Sequence, residues 1–565
     1  MLDIKDLKVR YGEKTILRGI DLELTPGETL GIVGESGTGK TTLGLSLMGL
    51  LQKRSTDAIV EGDILFDENN ISELDPDEQR ALRGNRLSMV FQNTDDALNP
   101  AHRVFQQVRE PLIVHELCTG AAADERAHGM LGTCGLPESR FMAYPHELSI
   151  GEKQRVIIAM ALVSDPDVLI LDEPTSSLDA VSTTAINDML KNMARRRMCL
   201  VITHDLGSAA SLSDRVAVLC GGRIVEIAAT DALFNDPRHP YSRGLIRCYP
   251  DMSRSKDLQG IRGRAAFAES GCPFYGRCTQ AVDICPHQTP PLRRVNGRHI
   301  ACHRGGVVPL LNVEGLAKKF DGKTVLNEVD LTIYEGETLA LVGESGAGKT
   351  TLARCLVGLN SWETGTVCLE GQTIDFHTSR WCRKVQMIFQ NPREAISHRM
   401  TVLDAVREPL DVHNIGTRDQ RMKRVQGALR DAELPHDTNF LQRYPHHLSG
   451  GEIQRIVIAR ALVLEPEILI ADEPTSSLDV SIQAKILQLL NEIQQQRGLS
   501  ILLITHDIAL ARKVSDRMAV LNAGCIMERG STDRVLSAPS HDYTKQLIRA
   551  AHDLHAGTNE MMPKQ

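Results

Sequence analysis

Apolar residues are concentrated in short runs that predict buried β-strands. The largely apolar run TLGIV at 29–33 is followed by a glycine-rich turn and by a helix that we expect to begin near Lys40. The runs VLIL at 168–171 and ILIA at 468–471 each end in two acidic residues. No apolar run approaches the ~18 residues needed to span a bilayer, and the polar, acidic amino terminus predicts no secretory signal. The pattern therefore indicates an α/β protein without a membrane-spanning segment.

The same succession of segments occurs twice along the chain. LGIVGESGTGKTTL at 30–43 returns as LALVGESGAGKTTL at 339–352, and LILDEPTSSLD at 169–179 returns as LIADEPTSSLD. Even the tails correspond, RHPYSRGLI at 238–246 to SHDYTKQLI at 540–548. A chain of 565 residues is too long for one hydrophobic core. We therefore expect two homologous domains, and the predicted boundaries are 1–252, a cysteine-bearing linker at 253–308, and 309–565.

Composition narrows the functional classes only slightly. The chain is 42% hydrophobic and 24% charged, as is ordinary for a globular protein. Its 64 basic and 72 acidic residues give a net charge of −8, which argues against a general nucleic-acid-binding protein. We expect no nucleic-acid partner.

Each copy contains a turn that predicts phosphate binding. Glycines let successive backbone N–H groups point at a phosphate, a lysine contacts the β- and γ-phosphates, and the next threonine supplies a hydroxyl for Mg²⁺. The occurrence of the pattern twice, between a predicted strand and a predicted helix, disfavours an ordinary glycine-rich turn. The residues predicted to bind ATP are Gly34, Ser36, Gly37, Gly39, Lys40, Thr41 and Thr42, and Gly343, Ser345, Gly346, Gly348, Lys349, Thr350 and Thr351.

The acids that end the later strands predict the rest of an ATP-hydrolysing site. Asp172 and Asp472 are placed to reach Mg²⁺, and the next residues, Glu173 and Glu473, to act as general bases beside the γ-phosphate. An isolated acidic pair would more simply be a helix cap. Two further repeated pairs complete the predicted site: His204 and His506 for contact with the γ-phosphate, and Gln92 and Gln390 for contact with Mg²⁺ and the attacking water.

The ordered set of P-loop, glutamine, LSGGEIQ at 448–454, Asp-Glu strand, SSLD loop and histidine resembles the ATP-binding cassette (ABC) ATPases over nearly the whole chain. The resemblance implies two P-loop domains, each with an antiparallel β subdomain and a helical subdomain. It also implies a head-to-tail pair of cassettes that sandwiches two ATP molecules. In that arrangement Tyr11 and Phe320 would stack on adenine, although either could simply fill a core.

The resemblance also implies that each signature loop closes the ATP site of the other cassette. Ser449, Gly450 and Gly451 would then close the site of Lys40, and Ser149 and Gly151 the site of Lys349. The first loop reads LSIGEKQ, so Ile150 stands where its counterpart has glycine. A β-branched residue narrows the accessible φ/ψ and adds volume, which predicts a weaker second site. The alternative is that Ile150 turns outward and leaves the loop working normally.

Three features of the resemblance favour membrane transport over a soluble twin-cassette factor of translation or DNA repair. The segments at 95–112 and 393–410 resemble the permease-docking region of peptide-type importers, and the HPY tail is similar to the oligopeptide/dipeptide/nickel branch. The predicted linker carries Gly, Pro and Cys instead of a long charged helix. The resemblance implies two transmembrane permease subunits, an extracytoplasmic solute-binding protein and a peripheral location on the cytoplasmic face of the inner membrane. Peptides, glutathione, nickel and metallophores remain open as solutes.

Four cysteines in the predicted linker suggest a metal. Cys272, Cys278, Cys285 and Cys302 have the spacing C-x5-C-x6-C-x16-C, wider than the close pairs usual for structural zinc. A protein that meets cytosolic ATP is not expected to form structural disulfides. A [4Fe–4S] cluster needs four thiolates, and in 253–308 basic residues outnumber acidic ones by nine to three, which would offset their charge. We expect a [4Fe–4S] cluster with a structural role; zinc and simply reduced cysteines are the alternatives.

Overall fold

The computed structural model describes residues 1–51, 57–92, 97–249, 261, 270–374, 379–476 and 478–559, with side chains except at Ser379 and after residue 551. The chain divides into two compact units. The first comprises Met1–Tyr249 and the described part of Gln259–Gly306, and the second the described part of Val307–Gln565. Residues 253–260 and 262–269 of the predicted linker lie outside the described residues.

The first unit contains two sheets. A four-stranded antiparallel sheet has the order Lys14–Leu24, Leu2–Tyr11, Ala58–Phe66 and Asn69–Asn70. An eight-stranded sheet has the order Arg293–Val295, Arg298–Ile300, Arg223–Ala229, Arg215–Cys220, Thr29–Val33, Met198–Ile202, Val168–Asp172 and Leu87–Val90. Its last five strands are parallel. Of these, the strands Thr29–Val33, Met198–Ile202 and Val168–Asp172 are buried along their whole length, as strands covered on both faces require.

The second unit repeats this plan without the two outermost strands. Its antiparallel sheet has the order Lys323–Tyr334, Pro309–Phe320, Thr364–Leu369 and Gln372–Thr373. Its six-stranded sheet has the order Val385–Ile388, Ile468–Asp472, Ser500–Thr505, Thr338–Val342, Arg517–Asn522 and Cys525–Ser531, of which only the last is antiparallel.

The nine α-helices described in the first unit have counterparts in the second, which has two further short ones, Pro392–Ala395 and Thr438–Leu441. Those of the first are Lys40–Leu47, Pro76–Leu82, Val104–Val114, Gly120–Thr133, Ile150–Leu162, Ala180–Ala194, Leu206–Leu212, Thr230–Asn235 and Pro240–Arg247. Those of the second are Lys349–Leu356, Ser379–Lys384, Pro392–Ala395, Val402–Val412, Arg418–Asp431, Thr438–Leu441, Gly450–Leu462, Val480–Arg497, Ile508–Val514, Thr532–Ser537 and Asp542–Asn559. In the described ranges, no helix is both long enough and apolar enough to cross a membrane.

Each unit has a helical region with its own core. In the first unit, Val104, Val108 and Leu112 lie on one face of a helix and pack in a cluster with Leu131 and Val156 from the following helices. This spacing of four residues places apolar side chains on one side of a helix. The expected α/β class is therefore confirmed, and each unit has the antiparallel sheet and the helical region that the resemblance implied.

Residues 270–306 of the predicted linker belong to the first unit. The strand Arg298–Ile300 pairs antiparallel with Arg223–Ala229 and so extends the central sheet. Buried Glu226 accepts hydrogen bonds from the backbone N–H groups of Arg238 and His239 and from the Arg298 guanidinium. A buried carboxylate needs such partners, so this cluster attaches the segment firmly to the sheet.

We predict that His239 makes the first unit less stable in acid. Its Nδ1 accepts from the N–H of Tyr241, its ring contacts the Ala301 carbonyl, and burial lowers its pKa to about 3. As the pH falls through about 6.5, this histidine therefore becomes protonated in the unfolded chain but not in the folded chain. Stability should fall below that pH by up to ~1.4 kcal/mol per pH unit.

The measurement is urea unfolding at pH 7.5 and 5.5, followed by hydrogen-exchange mass spectrometry so that peptides report each unit separately. His239→Asn retains an acceptor but does not titrate, and it should reduce the pH effect on the first unit by about 1 kcal/mol. His541→Asn, at the exposed equivalent position of the second unit, is the matched control. An unchanged pH effect in His239→Asn would contradict the prediction.

Candidate functional site

The two glycine-rich turns lie where the central strand Thr29–Val33, or its counterpart, meets a helix. A Cβ added to Gly34 would lie 2.3 Å from the carbonyl oxygen of Leu219, and one added to Gly343 would approach the equivalent carbonyl at 2.1 Å. Gly37 and Gly39 have φ values of +79° and +106°, in the left-handed region that other residues rarely adopt. The turn therefore needs glycine for close approach at its start and for backbone conformation at its end.

The P-loop lysines are buried and held by backbone carbonyls. Lys40 Nζ donates to the carbonyl oxygens of Gly34 and Glu35 at 2.9 and 3.0 Å. Lys349 makes the same two bonds in the second unit, at 2.9 and 2.8 Å. Burial lowers the pKa of both lysines, while the carboxylates at the end of the strand Val168–Asp172, or of its counterpart Ile468–Asp472, act in the opposite direction. Each turn is thus formed around an ammonium group that a phosphate could engage.

A hydroxyl and a carboxylate converge beside each lysine. Thr41 Oγ1 donates to Asp172 Oδ1 at 3.3 Å, and Thr350 Oγ1 donates to Asp472 Oδ1 at the same distance. Burial raises the pKa of Asp472. Hydroxyl and carboxylate oxygens are the ligands that Mg²⁺ prefers, so the residues present fit the expected ion.

The following glutamates are held by the predicted glutamine and histidine. Gln92 Nε2 donates to Glu173 Oε2 at 3.0 Å, and His204 Nδ1 lies 2.8 Å from Glu173 Oε1. The corresponding distances to Glu473 are 2.8 and 3.0 Å. Glu173 and Glu473 also have φ values of +50° and +45°, which a non-glycine residue adopts at some cost and which aim the side chain away from the strand direction.

The structure thus brings together, within each unit, the lysine, threonine, glutamine, aspartate, glutamate and histidine predicted for the phosphate, Mg²⁺ and the attacking water. In the first unit these are Lys40, Thr41, Gln92, Asp172, Glu173 and His204; in the second they are Lys349, Thr350, Gln390, Asp472, Glu473 and His506.

The signature loops lie at helix amino termini, and their contacts are local. Ser149 caps the helix Ile150–Leu162 and accepts from the N–H of Glu152, whose carboxylate accepts from the Ser149 N–H in return. Ser449 and Glu452 make the same reciprocal pair. In the described residues no hydrogen bond joins either serine to the P-loop of its own unit.

The structure does not support strain of the loop's own backbone at Ile150. The residue begins a helix, and its side chain is 50% exposed. At the equivalent position, Gly450 does not have a left-handed φ, and an added Cβ would meet only Leu478, at the ordinary contact distance of 3.5 Å. At this position the two loops therefore differ in the volume of an exposed side chain.

The two candidate adenine-stacking residues differ in exposure. Tyr11 ends a strand, is half-buried and packs against the apolar core of the first unit. Phe320 is 44% exposed, and the ammonium of Lys318 lies 5.0 Å from its ring centre. Only Phe320 presents much of its ring to a ligand in this conformation.

A tyrosine near the end of each unit supports the P-loop, although sequence reasoning assigned it no role. The Glu35 N–H donates to the hydroxyl of buried Tyr241 at 2.9 Å, and the Glu344 N–H donates to that of Tyr543 at 3.4 Å. Burial raises the pKa of Tyr241, so its hydroxyl stays neutral. The signal was the repeated tyrosine in the matching tails RHPYSRGLI and SHDYTKQLI.

The four predicted cluster ligands lie near one another but do not form a metal-holding group. Burial, with a smaller contribution from the neighbouring Cys285 and Cys302, raises the pKa of Cys272 to about 11 and that of Cys278 to about 12. The thirteen cysteines are free thiols. Over the ranges that the structure describes, no three His, Cys, Asp or Glu side chains are arranged to bind a metal ion.

Two family models match the chain, each at two places. The model described as "ABC transporter" matches residues 17–176 and 326–476. The model described as "Oligopeptide/dipeptide transporter, C-terminal region" matches residues 225–285 and 527–565. The second set of matches covers the tails that carry Tyr241 and Tyr543.

Similar proteins extend over almost the whole chain. The peptidoglycan transport ATP-binding protein YejF of Agrobacterium fabrum is 34% identical, over 98% of this chain and 97% of its own length. The oligopeptide transport ATP-binding protein OppD of Mycobacterium tuberculosis is 35% identical, over 97% and 98%. The glutathione import ATP-binding protein GsiA of Pectobacterium atrosepticum is 36% identical, over 97% and 89%. With two complete P-loop sites and these matches, the chain belongs to the ATP-binding cassette transporter ATPases, in the branch with the oligopeptide/dipeptide C-terminal region.

Proposed function

We propose that this ATPase drives the import of peptides or a related small solute, such as glutathione, nickel or a metallophore. The observation that carries the proposal is that the oligopeptide/dipeptide C-terminal region follows both cassettes. The similar proteins are described as ATP-binding proteins of peptidoglycan and oligopeptide transport and of glutathione import. A soluble twin-cassette factor would have no evident use for such a region.

In the proposed cycle, ATP binding closes the two cassettes on each other and hydrolysis reopens them. The phosphates would take over the buried ammonium of Lys40 from the carbonyls that now bind it. Mg²⁺, bound by Thr41 and Asp172, would neutralise phosphate charge. Glu173 would accept a proton from the attacking water while His204 and Gln92 hold its carboxylate in place. The equivalent residues of the second cassette would act in the same way.

The proposed partners are two transmembrane permease subunits, supplied with solute by an extracytoplasmic binding protein. The chain would lie on the cytoplasmic face of the inner membrane. The helices Val104–Val114 and Val402–Val412, which carry the two EPL segments, would receive the permeases. Val114 and Val412 at their ends are 62% and 69% exposed, so apolar surface is available there for docking.

Uptake in cells tests this function. In a strain lacking the chain, the wild-type chain should restore uptake of at least one of three radiolabelled solutes: a tripeptide, glutathione or nickel. The Lys40→Ala/Lys349→Ala double variant should fail to restore the uptake of that solute. The reason is that neither P-loop could then hold phosphate. Glu61→Gln, on an exposed strand residue, is the control for the handling of variants. Normal uptake of all three solutes, together with a ribosome-loading or DNA-repair defect, would support the soluble alternative instead.

We propose further that the two ATP sites are unequal because Ile150 faces the phosphates bound by Lys349. Its exposed side chain would keep the signature loop from approaching as closely as glycine permits. Gly450→Ile should impose the same obstacle on the other site, and its local surroundings accept a side chain. The pair of substitutions therefore separates an effect on the opposite site from damage to the loop itself.

ATPase rates of the assembled transporter should rise severalfold in Ile150→Gly and fall in Gly450→Ile. Loss of one preorganised contact with the transition state costs roughly 30- to 1000-fold in rate at the affected site. Lys40→Ala should accordingly reduce activity more than Lys349→Ala. Unaltered rates in both loop variants, or equal losses from the two lysine variants, would refute the asymmetry.

We also propose that Cys272, Cys278, Cys285 and Cys302 hold a [4Fe–4S] cluster with a structural role. The support is their donor chemistry, their mutual electrostatic influence, and the tight local backbone, in which the Cys272 N–H donates to the Cys285 carbonyl at 2.7 Å. Because these side chains are not arranged to bind a metal in the described structure, they would have to move to hold the cluster.

Protein purified under strict anaerobiosis should be brown, absorb near ~400 nm and contain about four irons per chain. Cys278→Ser should lose the colour, while Cys382→Ser, an exposed cysteine of the second unit, should retain it. A colourless preparation with stoichiometric zinc, or with no metal, would exclude the cluster.

A further inference from the structure

An arginine of the cysteine segment, residues 270–306, binds the first P-loop directly. Arg277 Nη1 donates to Glu35 Oε2 at 2.7 Å, and Nη2 donates to Glu35 Oε1 at 2.8 Å. The Arg277 side chain is 7% exposed and that of Glu35 is 28% exposed. Two parallel, charge-assisted bonds in a largely desolvated position fix both the distance and the orientation of the carboxylate.

Every polar group of Glu35 makes a hydrogen bond. Its side chain binds Arg277, its N–H donates to Tyr241, and its carbonyl accepts from Lys40. The rings of Tyr241 and Phe274 lie 5.4 Å apart, and the Arg277 guanidinium lies 5.5 Å from the Phe274 ring centre. The arginine is therefore itself held in a packed position.

The second P-loop has the same glutamate without this partner. Glu344 is exposed, and in the described part of the chain its carboxylate makes no ion pair. Its N–H is also farther from the tyrosine, at 3.4 Å compared with 2.9 Å. The carboxylate of Glu35 interacts electrostatically with Lys40, whereas no such interaction is found between Glu344 and Lys349.

We infer that Arg277 is a positioning residue for the first ATP site, one that orders the P-loop through Glu35 and so makes nucleotide affinity depend on the folded cysteine segment. The inference rests on the proposed role of the P-loop in ATP binding. A turn that is already ordered loses less conformational entropy when it binds phosphate. The ion pair also offsets the negative charge of the Glu35 carboxylate, which would otherwise repel the triphosphate.

Coupling between nucleotide binding and the cysteine segment must act in both directions. If the cysteine segment improves nucleotide binding, nucleotide bound at the first site must stabilise the segment to the same extent. The described residues of the second site show no connection of this kind, so nucleotide bound only there should leave the segment unprotected.

The first test measures equilibrium binding of a fluorescent ATP analogue to the full chain. A Lys349→Ala background reports the first site, and a Lys40→Ala background reports the second. Arg277→Gln should weaken binding at the first site on the order of tenfold, as is usual for linked sites, and leave the second unchanged. Arg277→Lys, which keeps the charge but not the paired geometry, should show an intermediate loss.

Two controls separate positioning from general damage. Arg294→Gln removes the same charge from an exposed strand of the same segment and should leave the affinity as it is. Glu35→Gln combined with Arg277→Gln should cost much less than the sum of the single changes, because both break one contact. Equal weakening at both sites, additive losses, or unchanged affinity in Arg277→Gln would each overturn the inference.

The second test uses hydrogen exchange of the peptides covering 270–306. Non-hydrolysable ATP should slow exchange in these peptides severalfold in the Lys349→Ala background. It should not slow exchange there in the Lys40→Ala background or when Arg277→Gln is added. If the Lys40→Ala chain still binds nucleotide at both sites as the unaltered chain does, the P-loop assignment itself fails. If Lys40→Ala abolishes binding at the first site while nucleotide gives no protection to 270–306, only the role of Arg277 fails.

Discussion

The close contact between the P-loop backbone and the neighbouring strand determines how each ATP site is built. Gly34 lies against the carbonyl of Leu219 so tightly that no side chain could be inserted, and the turn then closes around the buried ammonium of Lys40. Asp172 and Glu173 reach this point because parallel strands end at the same edge of the sheet. Chemistry in an open α/β sheet is expected at that edge.

Without nucleotide, the polar groups of the site satisfy one another. Two carbonyls bind Lys40, Asp172 accepts from Thr41, and Glu173 is held by Gln92 and His204. Desolvation lowers the pKa of the lysine, so phosphate charge entering the turn would stabilise its ammonium form. Binding therefore exchanges one set of hydrogen bonds for another, and the free energy gained is smaller than the new contacts alone would suggest.

The sequence predicted the contacts between recognisable motifs, even where these lie far apart along the chain, as Thr41 and Asp172 do, and it missed the contacts of residues outside such motifs. In each copy, an apolar strand, a glycine-rich turn with its lysine, and a later strand that ends in two acids occur in the same order. This order is typical of a phosphate site, so both sites could be predicted from the repeat. The pair Glu35–Arg277 joins residues 242 positions apart, and nothing in either neighbourhood indicates the other. The pairing of the strand Arg298–Ile300 with the central sheet was likewise invisible, because a three-residue strand carries almost no periodic signal. At Ile150 the pattern indicated a difference, but only the structure showed that the position tolerates a side chain.

The two cassettes have nearly identical motifs, so their differences arise mainly from what surrounds the motifs. Both P-loops contain a glutamate after the first glycine, but only Glu35 meets an arginine, because only the first cassette is followed by the segment that contains Arg277. Glu344, in the same local sequence, extends into solvent. Two P-loops that differ only at Thr38 and Ala347 therefore have different surroundings, and our inference is that the contact with Arg277 makes the first one more rigid. Fusion of the cassettes into one chain is what allows this, since in a homodimer both P-loops would receive the same extension.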